Sequence, residues 1–481
     1  MRTWMVYQGV WSFVGALSWT TAVVYFLGDV HMTPLELVLA GTALELGYFV
    51  FEVPTGIVAD LYSRKLSMVI SAVLSGAAMV VIGAVPHVAG VLLGMAVWGF
   101  AWTFRSGAED AWLADEVGPE RLGRAYQRAA QVGRLAGLTG IAAAVALALV
   151  DLRLPFLVAG ATAVAFGGVL ILVMTESPRP PAHPDSPTTI VGAAVTTAHE
   201  GGRLIRRTPA LLLMLLIFVF LGAFSEGFDR LWEAQLLLGV TLPPLGPFGT
   251  VGWFGLLGAA TLLLSFTLSA PLVRHVERLD LARLARLLLQ LHALLMVCAL
   301  GFALAGNLVV AVAAYLATTV VRNVAGPALS TWLNGSVPDS SVRATVLSIT
   351  SVSGSLGEWA GGPALGAVGT RFGIRTALAS GAVLLAPTLL LFARAVRHHG
   401  IEPELAEATV ADPGGLPRHR DTPFVATRAR SWRLGRVRPA VRFETACESG
   451  PHRGEGRSVE RPGNDWRPRR LAVRRVRLQQ T

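Results

Sequence analysis

Apolar residues along this chain fall in runs of about 20, the length a helix needs to cross the hydrocarbon core of a bilayer. Twelve such runs predict membrane helices at residues 5–28, 34–59, 66–85, 88–110, 126–150, 154–175, 210–236, 248–273, 282–305, 307–332, 343–369 and 374–396. Most polar interruptions are short. The exception is 176–209, a stretch bearing Pro, Thr and Arg that cannot span and reads as a linker. The pattern predicts an all-α integral membrane protein: a six-helix bundle over 1–175, a cytoplasmic linker over 176–209, a second six-helix bundle over 210–397, and a tail over 398–481. The tail lacks apolar periodicity and is rich in Pro, Gly and Arg, the composition of a solvated, disordered segment.

Composition agrees. Of 481 residues, 53% are hydrophobic and 15% charged, against about 25% charged in soluble domains, and mean hydropathy is +0.55. Met1 to Leu27 is apolar with an uncharged middle and reads as a first membrane helix, not a cleaved leader. The basic tail carries 17 Arg against 10 acidic residues, a net of +7, which leaves +3 for residues 1–397. A basic segment next to a membrane can touch anionic lipid, and no nucleic-acid partner is expected. With Met1 inside, Arg64, Lys65, Arg121, Arg124, Arg203, Arg206, Arg207, Arg274, Arg278 and Arg343 fall in inside loops; Arg153, Arg371 and Arg375 fall outside. That bias predicts both termini in the cytoplasm of a cell whose plasma membrane holds the protein.

The two halves repeat weakly. Trp112-Leu113, Val117, Pro119-Glu120 and Arg124-Ala125 return as Trp332-Leu333, Val337, Pro338-Asp339 and Arg343-Ala344; Gly133 and Gly140 lie over Gly354 and Gly361. A nearly constant offset across these two alignments favours duplication.

Ionisable groups at bilayer depth cost about 2.5–3.5 kcal/mol each on insertion scales, so each needs a partner or a wet cavity. In the second predicted helix Glu45 and Glu52 are seven apart and share a face, and Pro54 frees a backbone carbonyl nearby. They read either as proton-binding carboxylates or as caps at a packed helix junction. Arg105 and Glu109, four apart, can pair along the fourth helix. The seventh carries Glu226, Asp229, Arg230 and Glu233 beside Phe228 and Trp232. Glu226 and Asp229 lean toward a polar cavity, and Glu233 toward an interfacial helix end. Arg322-Asn323 sits in the tenth helix. Arg134 and Glu358 lie in Gly-x-x-x-Gly stretches, Gly133 to Gly137 and Gly357 to Gly361, where small residues let helices approach closely.

Known catalytic and metal patterns are missing. The single lysine, Lys65, follows Ser-Arg, so no Gly-Lys-Ser/Thr phosphate loop exists. There is no His-Glu-x-x-His, and Cys298 and Cys447 make no disulfide framework. No cofactor, metal site or nucleophile–base pair is expected, so the chain does not read as an enzyme. An ion gradient acting on buried carboxylates remains as the energy source.

Glu52-Val-Pro-Thr-Gly56-Ile-Val-Ala-Asp60-Leu-Tyr-Ser-Arg64-Lys65 resembles the Gly-x-x-x-Asp-Arg-x-Gly-Arg-Arg/Lys motif of the major facilitator superfamily, with Leu61 and Ser63 in place of a basic residue and a Gly. Residues 105–115 are similar to the end of the fourth helix in bacterial efflux-type members. The fifth helix is a distant match to the antiporter motif, with Leu138 in place of its Pro. The resemblance implies two pseudo-symmetric six-helix bundles and alternating access around a cavity lined by helices 1, 4, 7 and 10. Gly56, Asp60, Arg64, Lys65 and Glu109 would then serve gating. Glu52, Glu45, Glu226, Asp229 and Glu358 would couple protons, while Trp19, Tyr25, Arg105, Arg322, Asn323 and Arg134 would line the solute cavity. The aromatics read equally as core or interface residues. Proton-coupled efflux of a small amphipathic molecule by a monomer is the leading expectation. Solute uptake and a non-transporting protein of the same fold stand as alternatives.

Overall fold

The computed structural model describes residues 1–61, 63–176, 209–276, 279–336 and 340–397. The linker and the tail expected from the sequence lie almost wholly outside them, as do the surroundings of Gly56 and the side chains of Asp60, Arg274 and Arg278. The described chain is helical throughout: α1 Arg2–Trp19, α2 Ala22–Gly28, α3 Pro34–Leu61, α4 Arg64–Ala84, α5 Val88–Val117, α6 Leu122–Ala148, α7 Leu154–Val173, α8 Pro209–Gly239, α9 Val251–Val276, α10 Leu281–Ala303, α11 Leu308–Gly335, α12 Ser340–Phe372, α13 Ile374–Val383 and α14 Ala386–Arg397.

Ends and breaks follow local chemistry. Thr33 and Glu36 form a capping box at the start of α3: the Thr33 N–H donates to Glu36 Oε2 at 2.7 Å and the Glu36 N–H to Thr33 Oγ1 at 3.3 Å. Asp280 and Asn307 cap α10 and α11 by accepting from Arg283 and Val310 N–H groups. Pro387 lacks an N–H and crowds the turn before it, so the last span breaks into α13 and α14. The first span is likewise split, between α1 and α2 at Thr20-Thr21.

Ten helical segments among the described residues are long and apolar enough to cross a membrane. Two of the twelve expected positions are not among these ten. In α9 the described side chains give an apolar stretch over Val251–Ser265, and several side chains beyond it lie outside the described residues. In α12 the composition is less apolar, because Gly354, Gly357, Gly361, Gly362, Gly366 and Gly369 replace bulky residues.

Those glycines form one of several close helix seams among the described residues. A Cβ on Gly357 would sit 2.0 Å from Val219 O, and one on Gly361 2.3 Å from Ala223 Cβ, so α12 lies directly on α8. The other half repeats the device: a Cβ on Gly140 would meet Phe13 O at 2.6 Å, pressing α6 on α1. Gly99 stands as close to Leu44 O, at 1.9 Å, tying α5 to α3. The sequence repeat thus corresponds to equivalent packing. Trp112 is buried against Phe166 and Leu170 of α7, and Trp332 is buried among residues that include Phe392 of α14.

Three apolar clusters fill the interior. One is common to both halves and joins Phe26, Met95 and Trp98 to Phe228, Leu231 and Leu378. The other two are confined to one half each, around Trp4 and Trp112 and around Trp332 and Phe392. The halves therefore meet at the end that carries Pro34 and Thr370, where the Leu35 N–H donates to Thr370 Oγ1 at 3.0 Å. At the end that carries Trp4 and Arg64 each half keeps its own core.

If the seam sets helix approach, Gly357→Ala lowers the thermal midpoint of the solubilised protein, at an overpacking cost of about 1–3 kcal/mol. Gly354→Ala, whose Cβ meets nothing within 4 Å, leaves the midpoint unchanged.

Candidate functional site

The seven-residue spacing on α3 and the three-four spacing on α8 bring their charges to the seam between the halves. Arg230 Nε donates to Glu226 Oε1 at 2.9 Å, and its guanidinium lies 3.8 Å from Glu45 Oε1. Glu358 on α12 interacts electrostatically with both Glu226 and Arg230. One guanidinium is therefore paired with two carboxylates, from α3 and α8, and a third, Glu358 of α12, lies within electrostatic range of the pair. The second oxygen of Glu45 is buried without a hydrogen-bond partner among the described residues. The cluster fits only because α3 has no side chain at Gly41: a Cβ there would fall 2.1 Å from Arg230 Nε and 2.2 Å from Glu226 Oε1.

A second pair adjoins it. Arg322 of α11 grips Asp229 through both carboxylate oxygens, the Nη2 to Oδ2 bond being 2.8 Å, and its Nη2 also reaches Ser225 Oγ at 3.4 Å. Asn323 donates to Ser265 Oγ at 2.7 Å, tying α11 to α9. Between α1, α2, α3, α5 and α8 lies a cavity of about 210 Å³ lined by Trp19, Phe26, Asp229, Arg230, Trp232 and Glu233 among others.

Other expected site residues are placed differently. Tyr25 does not line this cavity; it is fully buried and its hydroxyl donates to Ile82 O at 2.7 Å, a bond that fixes α2 on α4. Glu233, expected at an interfacial helix end, lines the cavity instead, because α8 continues to Gly239 and the residue is not at its end. Glu52 sits apart from Arg230: its Oε1 accepts from Tyr48 OH at 3.1 Å and Ser106 Oγ at 3.0 Å, which ties α3 to α5.

Arg105 is buried, with Glu109 Oε2 3.4 Å away and the rings of Trp102 and Trp11 at 3.9 and 4.6 Å. Arg134 lines a larger cleft of about 600 Å³ with Trp4, Gln8, Ser12, Tyr126 and Leu262. Near the loop motif, Arg64 Nη1 meets Asp115 Oδ2 and Ala111 O, each at 2.6 Å. Lys65 Nζ donates to Ile171 O at 2.7 Å, and Glu176 Oε1 accepts the Arg64 N–H at 2.8 Å. All these partners belong to one half, so Arg64 fastens α4 to α5; Glu109 serves Arg105 instead.

Gly41 escaped the sequence reading altogether, whereas Trp232 and Glu233 were legible on the seventh helix but Glu233 reads there as a helix end. Gly41 had a readable signal, since it precedes Glu45 by four residues and so lies on the same helical face.

Residues 5–358 match the model of the Major Facilitator Superfamily, and the chain belongs to that superfamily of membrane transport proteins. A Bacillus subtilis (strain 168) protein, the uncharacterized MFS-type transporter YxaM, is 24% identical over 360 residues, covering 74% of this chain and 86% of that one. Among solved structures, the peptide transporter POT in complex with sulfate superimposes with a TM-score of 0.63 at 15% identity, over 84% of this chain and 95% of that one. The nucleoside transporter NupG gives 0.61 at 12% identity over 82% and 97%. A bacterial homolog of the human lysosomal transporter Spinster, inward-facing and unoccupied, gives 0.60 at 14% over 84% and 96%. These likenesses establish the shared fold.

Removing one partner from a buried charge group is far costlier than removing the group. Arg230→Met is expected to cost about 3–5 kcal/mol of stability, read as a lower thermal midpoint of the solubilised protein. Arg230→Met combined with Glu226→Gln recovers part of that loss.

Proposed function

We propose that this transporter is a proton-coupled secondary carrier that exports a small amphipathic solute by alternating access. The observation that carries the reading is the Arg230 cluster. With Glu45, Glu226 and Glu358 all ionised, a single guanidinium leaves an excess of negative charge in a seam of low dielectric, and an added proton relieves it. The cluster draws on both halves, since Glu45 comes from α3 and the rest from α8 and α12. A change in its proton count therefore alters how strongly the halves are held together, which is what coupling requires.

The proposed halves are residues 1–175 and 210–397, joined by 176–209. The proposed orientation places Arg64 and both termini in the cytoplasm, at the plasma membrane. The halves are packed at the Thr370 end and keep separate cores at the Arg64 end, so this arrangement corresponds to a cavity closed to the outside. Glu45, Glu226 and Glu358 are the proposed proton sites. Asp229 and Arg322 border the solute space, and Glu52 adds a carboxylate nearer the Arg64 end. The protein acts as a monomer, with the solute, the proton and the surrounding lipid as its partners.

The test is a dye and antibiotic panel in a pump-deficient host, followed by transport in everted vesicles that carry a pH gradient. Glu45→Gln lowers solute-driven proton movement about tenfold or more, ~1.4 kcal/mol of lost coupling, and a protonophore abolishes resistance. Resistance that survives both treatments contradicts proton coupling. Accumulation in whole cells in place of resistance reverses the direction.

A further inference from the structure

We infer that the 210 Å³ cavity between α1, α2, α3, α5 and α8 is a binding site for a small organic cation, with Glu233 as the carboxylate that receives its charged group. The inference rests on the transport reading above and narrows its solute.

The argument is a charge count over every element that packs around the space. Helices α1, α2 and α5 contribute Trp19, Val23, Phe26 and Met95, all uncharged. Glu45 comes from α3, and α8 gives Glu226, Asp229, Arg230 and Glu233; Arg322 comes from α11 and Glu358 from α12. Asp229, Arg230 and Glu233 line the space itself; with the groups paired or coupled to them behind it, five carboxylates stand against two guanidiniums. Both guanidiniums are already engaged, Arg230 by Glu226 and Glu45 and Arg322 by Asp229. Glu233 lines the cavity yet has no hydrogen bond and no ion pair within 4 Å among the described residues, and its interaction is a longer-range one with Arg230. An anionic solute would meet this excess of negative charge with no free guanidinium to receive it. A cation supplies what the site lacks.

The walls add a second, independent preference. Trp232 is stacked on Tyr315 with ring centroids 4.1 Å apart, and Trp19 on Trp98 at 5.0 Å. Two tryptophans held rigid in this way give a cavity whose aromatic surface attracts cations and covers an apolar body. The volume sets the scale. At about 210 Å³ the space is smaller than the ~300–1,000 Å³ of pockets for drug-sized ligands, so the occupant is a compact amine, one ring or a short chain beside its ammonium.

The test uses the full-length protein in lipid nanodiscs and three probes of similar shape: 2-phenylethylammonium, neutral 2-phenylethanol and anionic 3-phenylpropionate. Titration calorimetry is expected to show the cation bound at least about tenfold more tightly than either of the others. Glu233→Gln removes that preference and Glu233→Asp retains it. Equal or tighter binding of the neutral or anionic probe to the wild type overturns the inference without recourse to any variant. So does an absence of binding by all three, or a preference that Glu233→Gln leaves intact. The same cation, added to vesicles, separates this claim from the coupling claim. If it is preferred but moves no protons, only the coupling reading fails. If other solutes drive protons while the cation is not preferred, only the substrate class fails.

Discussion

The shortage of positive charge around Arg230 is the constraint on which the rest of this molecule depends. Two carboxylates share one guanidinium and a third, Glu358, lies within electrostatic range of it, at a cost of several kcal/mol for any group left uncompensated. Satisfying them requires α3, α8 and α12 to converge, and convergence requires backbones almost in contact. That is why Gly41 lies against the ion pair and why Gly357 and Gly361 lie against α8. A methyl group at Gly41 would occupy the space of the guanidinium itself. The glycines are therefore part of the electrostatics as much as of the packing.

A cluster at such a seam is a natural point of control. The apolar core is continuous between the two sets of helices toward Thr370 and divided toward Arg64. Glycines at equivalent places of the repeat press α6 on α1 in the first set and α12 on α8 in the second. Such close-packed frames on either side of a charged seam are what the proposed rocking between two access states requires. Each set of helices also holds an arginine against aromatic rings, Arg105 among Trp102 and Trp11 and Arg322 over Phe228, although only Arg322 pairs with a cavity carboxylate.

Much of the fold was legible in the sequence, because bilayer thickness imposes a length on every apolar run. The poorest match, α12, loses apolar character for a physical reason: glycine at the seam replaces bulk. Buried charges were legible as residues, since Glu, Asp and Arg in an apolar run stand out. Their partners were not, because Glu45 and Arg230 are distant in sequence and spacing rules operate within one helix. Tyr25 was misplaced for the opposite reason. An aromatic residue in a membrane helix reads the same whether it faces a cavity or, as here, donates to a backbone carbonyl in the core. Glu233 was taken for a helix end because the length of α8 beyond it was underestimated.

The most direct test of the central claim measures whether the proton content of the Arg230 cluster sets the separation of the halves. Spin labels at Gln127 on α6 and Arg283 on α10, in a background with Cys298 and Cys447 replaced by Ala, report that separation by double electron–electron resonance in nanodiscs. The account predicts a distance distribution that shifts between mildly acidic and mildly basic buffer, and that becomes insensitive to pH in Glu45→Gln. A distribution indifferent to pH in the otherwise unaltered protein, or one that shifts identically in Glu45→Gln, contradicts it.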